Sequence, residues 1–80
     1  MAWLAIDKDG TEIACATKPF RADFLADKFI EFEYLKGKWV TVAFNQFDCF
    51  PVRNCLEFPK GSIAKLIGRE LTWEDEPVEL

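Results

Sequence analysis

The sequence predicts an α+β fold, a small antiparallel β-meander of about four or five strands with one short C-terminal helix. Short apolar runs separated by turn residues recur from Trp3 to Phe58, as in a meander. Near the C-terminus Ile63, Leu66 and Ile67 recur at helical spacing. With 80 residues, 50% of them hydrophobic, the chain can build one core, so we expect a single domain over residues 1–80.

The first predicted hairpin is formed by residues 3–6, "WLAI", and residues 11–16, "TEIACA", around the turn "DKDG". Asp-Gly favours such a turn because glycine accepts a positive φ. The same letters invite a calcium-loop interpretation, which requires a glycine at position 6 and a glutamate at position 12 of the loop. Counted from Asp7, Glu12 occupies the glycine position and Lys18 the closing position. The stretch is therefore predicted to be a turn.

The middle of the chain is predicted to contain a second hairpin. A short helix or an irregular loop is expected near residues 19–28, where Pro19 suits a first helical position. "FIEFEY" in residues 29–34 alternates apolar and acidic side chains, as a half-buried strand does. A turn at Gly37 and the strand-like run "WVTVAF" complete the predicted hairpin.

The region that follows is interpreted as a loop, or as a strand interrupted by Pro51, because proline cannot donate to a central ladder. "LEF" in residues 56–58 is a further short strand candidate. In the C-terminal helix Ser62 is the predicted N-cap, and Gly68 stands where the helix should end.

The last residues are expected to leave the core. "LTW" in residues 71–73 is a candidate edge strand, and residues 74–80, "EDEPVEL", are predicted to be an acidic C-terminal tail in solvent.

Both ends of the chain resemble a loose group of short uncharacterised phage and prophage proteins of gut bacteria. The residues that carry this resemblance are "WLAIDKDGTE" with a following "KP", and the closing "LTWEDEPVEL". The group has a "WLA-DKDG" hairpin at its start and a "WEDEP" segment at its end. The resemblance implies a small accessory protein of a mobile element that contacts a component of its host or virion, and it supplies no catalytic residues.

No cofactor or metal is predicted, and we expect no enzyme activity. The chain has no histidine, which removes the commonest general base and metal ligand. Zinc needs four ligands, and Cys49 and Cys55 supply two; Asp48 could add an oxygen and Cys15 a third sulfur if the fold brought it near, so inert thiols are the expected state of the three cysteines. We expect them to be reduced, partly buried thiols of a cytoplasmic protein, although Cys49 and Cys55 are spaced so that they could form a disulfide. Glu31 and Glu33 share a face of the predicted strand, but carboxylates between aromatics usually mark a wet sheet face.

Charge and hydropathy exclude two kinds of partner. A net charge of −4 repels phosphate backbones, so no nucleic acid is expected. No apolar run has the length of a membrane span, so no membrane is expected either.

The exterior is what remains to carry a function, and a protein partner is expected. The leading hypothesis is a non-enzymatic protein-interaction module that inhibits or redirects a host protein, in an anti-defence role. The alternative is a structural or accessory protein that forms a homo-oligomer through an edge strand. The candidate contact residues are an aromatic pair and an acidic run: Trp39, Trp73, Glu74, Asp75 and Glu76.

Overall fold

The protein folds as two antiparallel sheets with short helices, in agreement with the predicted α+β class. The structure, a computed structural model, describes residues 2–80. The strands are β1 Trp3–Ile6, β2 Glu12–Cys15, β3 Phe20–Arg21, β4 Trp39–Phe44, β5 Cys49–Val52, β6 Cys55–Phe58 and β7 Val78–Glu79. The helices are α1 Asp23–Lys28, a 3-10 helix Ile30–Leu35, and α2 Ser62–Ile67. Within residues 2–80 no helix has the length and apolarity that crossing a membrane requires.

The first sheet has the strand order β6-β2-β1-β7. The predicted hairpin of β1 and β2 is confirmed, with Trp3 opposite Cys15 and Ile6 opposite Glu12. Gly10 has a φ of 92°, the positive value that the Asp-Gly turn requires. Asp9 accepts a hydrogen bond from the Thr11 N–H at 2.9 Å. This bond lowers the pKa of the Asp9 carboxyl below its ordinary value.

Both faces of the first sheet are covered. On one face, Leu4 packs with Ile63 of α2 and with Leu71. On the other face, Ala5 and Ile13 pack with Trp39. Because successive side chains of a strand point to opposite faces of the sheet, β1 and β2 contribute side chains to both cores.

The second sheet has the order β3-β4-β5, with Phe20 opposite Val40 and Phe44 opposite Cys49. Val40 packs with Ala22, which directly precedes α1, and with Leu35, the last residue of the 3-10 helix. The helix predicted near residues 19–28 is therefore present, although it begins only at Asp23.

The strand predicted over residues 29–34 is wrong. These residues enter the 3-10 helix, in which the Phe32 N–H donates to the Phe29 carbonyl at 3.0 Å. Strand β4 pairs with β5 over Thr41–Phe44 and with β3 at Trp39 and Val40, so β5 takes the hairpin position that residues 29–34 were expected to fill. Its hairpin partner is β5, which includes Pro51.

The C-terminal segment also departs from the prediction. Residues 71–73 form no strand, and the strand lies further on, where Val78 pairs with Leu4. Pro77 before it is buried, so residues 74–80 are not wholly a solvated tail. The cause is Arg21, whose guanidinium donates to the carbonyls of Trp73 at 2.9 Å and Asp75 at 3.1 Å.

Helix α2 confirms the predicted helix and its end at Gly68, which has a φ of 77°. The predicted N-cap is wrong, because Ser62 lies inside the helix and its hydroxyl donates to the Pro59 carbonyl. Glu12 of β2 takes the capping role. Its carboxylate accepts from the Gly61 N–H at 2.5 Å and the Ile63 N–H at 2.7 Å.

The cysteines are not all reduced, contrary to expectation. Cys15 and Cys55 lie opposite each other on β2 and β6 and form a disulfide, with their Cα atoms 4.4 Å apart. Cys49 is the free, exposed thiol. The sequence could not select this pair, because Cys15 is 40 residues from Cys55 and only strand pairing brings them together.

Candidate interaction surface

A buried ion pair fixes the base of the β4–β5 hairpin to the first sheet. Asp7, only 1% exposed, accepts hydrogen bonds from the Trp39 N–H at 3.0 Å and from the Arg53 guanidinium. The indole N–H of Trp39 donates to the Ile6 carbonyl at 2.8 Å. Arg53 directly follows β5, so both strands of the hairpin are held at this point.

Burial changes abruptly along β4. Residues 39–41 are buried, whereas Val42 and Phe44 are exposed, Phe44 to 77%. Phe47 in the turn is 87% exposed, and Phe50 on β5 is exposed as well. We call the large apolar side chains at the exposed end of the hairpin the hairpin patch: Val42, Phe44, Phe47 and Phe50. Phe50 is opposite Ala43, so it lies on the other face of the hairpin from Val42 and Phe44.

The turn that carries Phe47 is closed by its own hydrogen bonds. The Asn45 N–H donates to the Asp48 carbonyl at 2.9 Å. The Asn45 side-chain oxygen accepts from the N–H groups of Phe47 at 2.8 Å and Asp48 at 2.7 Å. An asparagine that bonds the backbone ahead of it in this way stabilises a turn, so Phe47 is presented on an ordered tip.

The helical layer carries exposed apolar side chains of its own. Val42 and Phe44 lie on the same face of β4 as Val40, since side chains alternate along a strand. That face is the one against which α1 and the 3-10 helix pack through Ala22 and Leu35. The helical layer leaves further large side chains exposed: Phe24, Phe29, Ile30 and Tyr34. So much exposed apolar surface on a small chain is typical of a contact site.

The outer edge of β5 is closed to an added strand. The bond between Asn45 and Asp48 makes these residues a hydrogen-bonded pair. Such pairs alternate with non-hydrogen-bonded pairs along the two strands, so Cys49 and Pro51 form no backbone hydrogen bonds with β4. Their backbone groups therefore point outward. The Cys49 N–H is already taken by the Asp48 carboxylate at 2.8 Å, and Pro51 has no N–H. A partner of the hairpin would contact its faces rather than this edge.

The candidate residues named from the sequence lie elsewhere. Trp39 is 1% exposed and belongs to the core, so its ring has no free surface. Trp73 is half-buried and packs edge-on against Trp39, with ring centroids 5.5 Å apart. The Arg21 guanidinium lies over both rings, at 4.5 Å from that of Trp39 and 5.4 Å from that of Trp73. The structure therefore brings the two tryptophans together, but they pack against each other in the core rather than forming an exposed contact surface.

The acidic residues of the C-terminal segment differ in their exposure and in the groups they bind. Glu74 is exposed, and exposed Glu76 lies 3.7 Å from the Arg21 guanidinium. Half-buried Asp75 accepts from the Thr72 N–H at 2.8 Å. Asp75 thus shapes its own loop. Sequence reasoning missed the hairpin patch, for which the signal was three phenylalanines around the "NQFDCF" turn.

A groove of about 380 Å³ lies between the β1–β2 turn, α2 and residues 70–73. Two of its carboxylates, Asp7 and Glu12, already hold Arg53 and the start of α2. The other polar side chains of its wall are Lys8, Lys60, Glu70 and Thr72. The Thr72 hydroxyl in this wall donates to the Asp75 carboxylate at 3.3 Å. In residues 2–80, no three Cys, Asp or Glu side chains are gathered as a metal ion would require.

Comparison with known proteins gives no guide to function. The chain matches no protein-family model, and searches of curated proteins and of solved structures give no match.

Proposed function

We propose that this protein is a non-enzymatic interaction module that binds another protein through the hairpin patch. The observation that carries the proposal is the exposure of Phe44 and Phe47, at 77% and 87%, on an ordered hairpin. Aromatic side chains held in place before binding are efficient anchors, because little conformational entropy is lost when they are buried.

The patch also indicates the kind of surface it would meet. Phe44 and Phe47 project from a narrow hairpin, so a concave apolar pocket or groove on the partner would enclose them better than a flat surface. The blocked edge of β5 argues against strand addition on that side of the hairpin, so burial of the exposed side chains would supply the affinity there.

The phage resemblance extends the proposal to a host protein as partner, which the chain would inhibit or redirect in an anti-defence role. A cytoplasmic location belongs to this proposal. A disulfide is more typical of non-reducing compartments, so the redox state of Cys15 and Cys55 in cells is a direct check of location. The net charge of −4 favours a protein over a nucleic acid as partner.

Affinity capture from a bacterial lysate, followed by calorimetry with the purified partner, tests the proposal. The double variant Phe44→Ser, Phe47→Ser should weaken binding by at least about tenfold, because hot-spot aromatics contribute at least about 1–2 kcal/mol each. Leu66→Ser is the matched control, since Leu66 is an exposed apolar residue on α2. Equal binding by the double variant and the wild type would rule out the hairpin patch as the contact.

A second arm tests the acidic segment. Glu74→Gln with Glu76→Gln removes two exposed charges and leaves Asp75 in its loop. If these charges only steer encounter, the variant should bind more slowly at low salt with little change in dissociation rate. A large change in dissociation rate would place the contact in the C-terminal segment instead.

A further inference from the structure

Strand β6 is the outer strand of the first sheet, and its edge carries unused hydrogen-bonding groups. The Asp7 N–H donates to the Thr11 carbonyl, so Asp7 and Thr11 are a hydrogen-bonded pair. Hydrogen-bonded and non-hydrogen-bonded pairs alternate along an antiparallel ladder, so the N–H and C=O groups of Ile13 and Cys15 also point toward β1. The backbone of Glu12 and Ala14 then faces β6, where their partners are Phe58 and Leu56.

The remaining β6 residues, Cys55 and Glu57, consequently direct their N–H and C=O groups away from the sheet. The 4.4 Å between the Cα atoms of Cys15 and Cys55 agrees, because close spacing marks a non-hydrogen-bonded pair. Outside the ladders, no backbone group within residues 2–80 bonds to Cys55 or Glu57.

The outer strands β5, β3 and β7 are protected by local devices, and the other unprotected stretch is on β4, which continues to Phe44 beyond its two-residue pairing with β3. Strand β5 is blocked by Pro51 and by the Asp48 carboxylate, as described above. Strands β3 and β7 have two residues each and directly follow Pro19 and Pro77. Short strands and prolines are the usual protections of an edge. Strand β6 is longer, with four residues, and contains no proline, although Pro59 directly follows it.

An exposed apolar side chain lies at the centre of this open edge. Leu56 is 71% exposed, on the face of the sheet where Phe58 packs into the Leu4 core. The residue is flanked symmetrically by Cys55 and Glu57, whose backbone groups point outward.

We propose that β6 pairs with β6 of a second copy of this chain, antiparallel about a two-fold axis through Leu56. In this register Cys55 of each copy lies opposite Glu57 of the other, and their outward groups exchange hydrogen bonds. Leu56 meets its symmetry mate at a non-hydrogen-bonded position, where side chains approach most closely.

Self-complementarity favours a second copy over an unrelated strand as the occupant. A two-fold interface requires the same patch to match itself, and this register does so without placing Glu57 opposite Glu57. The two sheets then join into one continuous sheet. The hairpin patch belongs to the other sheet and is not used, so the dimer would present two copies of it and gain avidity for a partner that itself carries two binding sites.

Analytical ultracentrifugation from about 10 µM to about 1 mM tests the dimer, a range chosen because a four-residue edge is a small interface. The average mass should rise from 9.2 kDa toward twice that value. Leu56→Lys and Glu57→Pro should each raise the dissociation constant at least about tenfold, the first by opposing like charges and the second by removing an outward N–H. Leu66→Lys and Glu57→Ala are the controls that should still dimerise.

Amide hydrogen exchange locates the interface. The N–H groups of Cys55 and Glu57 should become protected as concentration rises, whereas the Cys49 amide on the blocked edge should not change. A wild-type chain that stays monomeric up to about 1 mM overturns the proposal. A dimer that survives Leu56→Lys also overturns it, as does concentration-dependent protection confined to the hairpin patch. If Glu57→Pro fails to fold, the dissociation constant of Leu56→Lys and the amide hydrogen exchange of the wild type test the dimer instead. Failure here leaves hairpin binding untouched, because the two tests use different residues.

Discussion

Two hairpins in this molecule are equally apolar but differ in what covers them. The β1–β2 hairpin is packed on both faces, by α2 on one side and by Trp39 on the other. The β4–β5 hairpin is covered only near its base, and beyond Thr41 its large side chains are exposed. The sequence predicted the β1–β2 pair and strand β4, but it gave β4 the wrong hairpin partner. Burial depended on whether a second element was available to pack on them.

The difference separates structural from functional apolar residues. A chain of 80 residues has little material to cover two sheets on both faces. Here α2 covers one face of the first sheet, and Trp39 and Trp73 cover the other. Among the elements that the structure describes, none covers the large side chains of the β4–β5 hairpin beyond Thr41. Substitutions in the first hairpin should therefore alter stability, and those in the second should alter binding.

Asp7→Ala should produce the largest loss of stability, about 3–5 kcal/mol, because it leaves the Arg53 charge and the buried Trp39 N–H without their partner. Urea unfolding measures the change. The matched control is Asp9→Ala in the same turn, where the carboxylate is exposed. Similar losses for the two variants would contradict the importance of the buried pair.

Removal of the disulfide by Cys15→Ser with Cys55→Ser should cost about 3 kcal/mol, because a closed loop restricts the unfolded chain. Thermal unfolding with and without reductant checks this value. Cys49→Ser should leave stability unchanged, since its thiol is free and exposed. A reductant effect that persists in the double variant would refute this pairing.

Glu12→Ala should cost about 2 kcal/mol, because the N–H groups of Gly61 and Ile63 lose a charged acceptor. Ser62→Ala should cost less than about 0.5 kcal/mol, since Ser62 does not cap the helix. Denaturant unfolding of both variants distinguishes the two capping schemes. The reverse order of losses would restore Ser62 as the cap.

Asp9 should give a small pH-dependent effect. The Thr11 N–H lowers its folded pKa from the ordinary value of 3.8, so the ionised carboxylate stabilises the turn. This stability is present above the ordinary pKa and is lost as the pH falls through the folded value. An NMR titration gives the folded pKa directly. The stability difference between the wild type and Asp9→Ala should be larger at about pH 7 than at about pH 2. A folded pKa above the ordinary value would reverse the sign.

Phe44→Ser should have the smallest effect on stability, below about 0.5 kcal/mol, because the side chain is mostly exposed. Leu4→Ala is the counterpart in the covered hairpin and should cost about 3 kcal/mol, since Leu4 is fully buried. Parallel unfolding curves measure both. A loss of several kcal/mol in Phe44→Ser would remove the distinction between the two hairpins.

Features set by local chemistry were predictable from the sequence. The Asp-Gly turn fixes the first hairpin, and Gly68 ends α2 in a left-handed conformation. The run of residues 39–44 formed the predicted strand. In each case the determining residues are neighbours in the chain.

Features that depend on distant residues were not predictable in this way. "FIEFEY" alternates like a strand, but Phe32 and Leu35 also lie three residues apart, the spacing that places both on one side of a 3-10 helix. Trp39 became a core residue because Asp7, 32 residues earlier, binds its N–H. The hairpin patch likewise depends on which strands the helical layer leaves uncovered.

The Cys15–Cys55 bond encloses the entire second sheet, because β3, β4 and β5 all lie between these cysteines in the chain. A protease that cuts at the exposed Phe47 would therefore produce two fragments that remain covalently linked. Under oxidising conditions the nicked molecule would migrate as an intact chain, and a reductant would separate the fragments. The protruding tip can thus be cleaved without loss of either half, which gives the molecule tolerance to damage at its most accessible point.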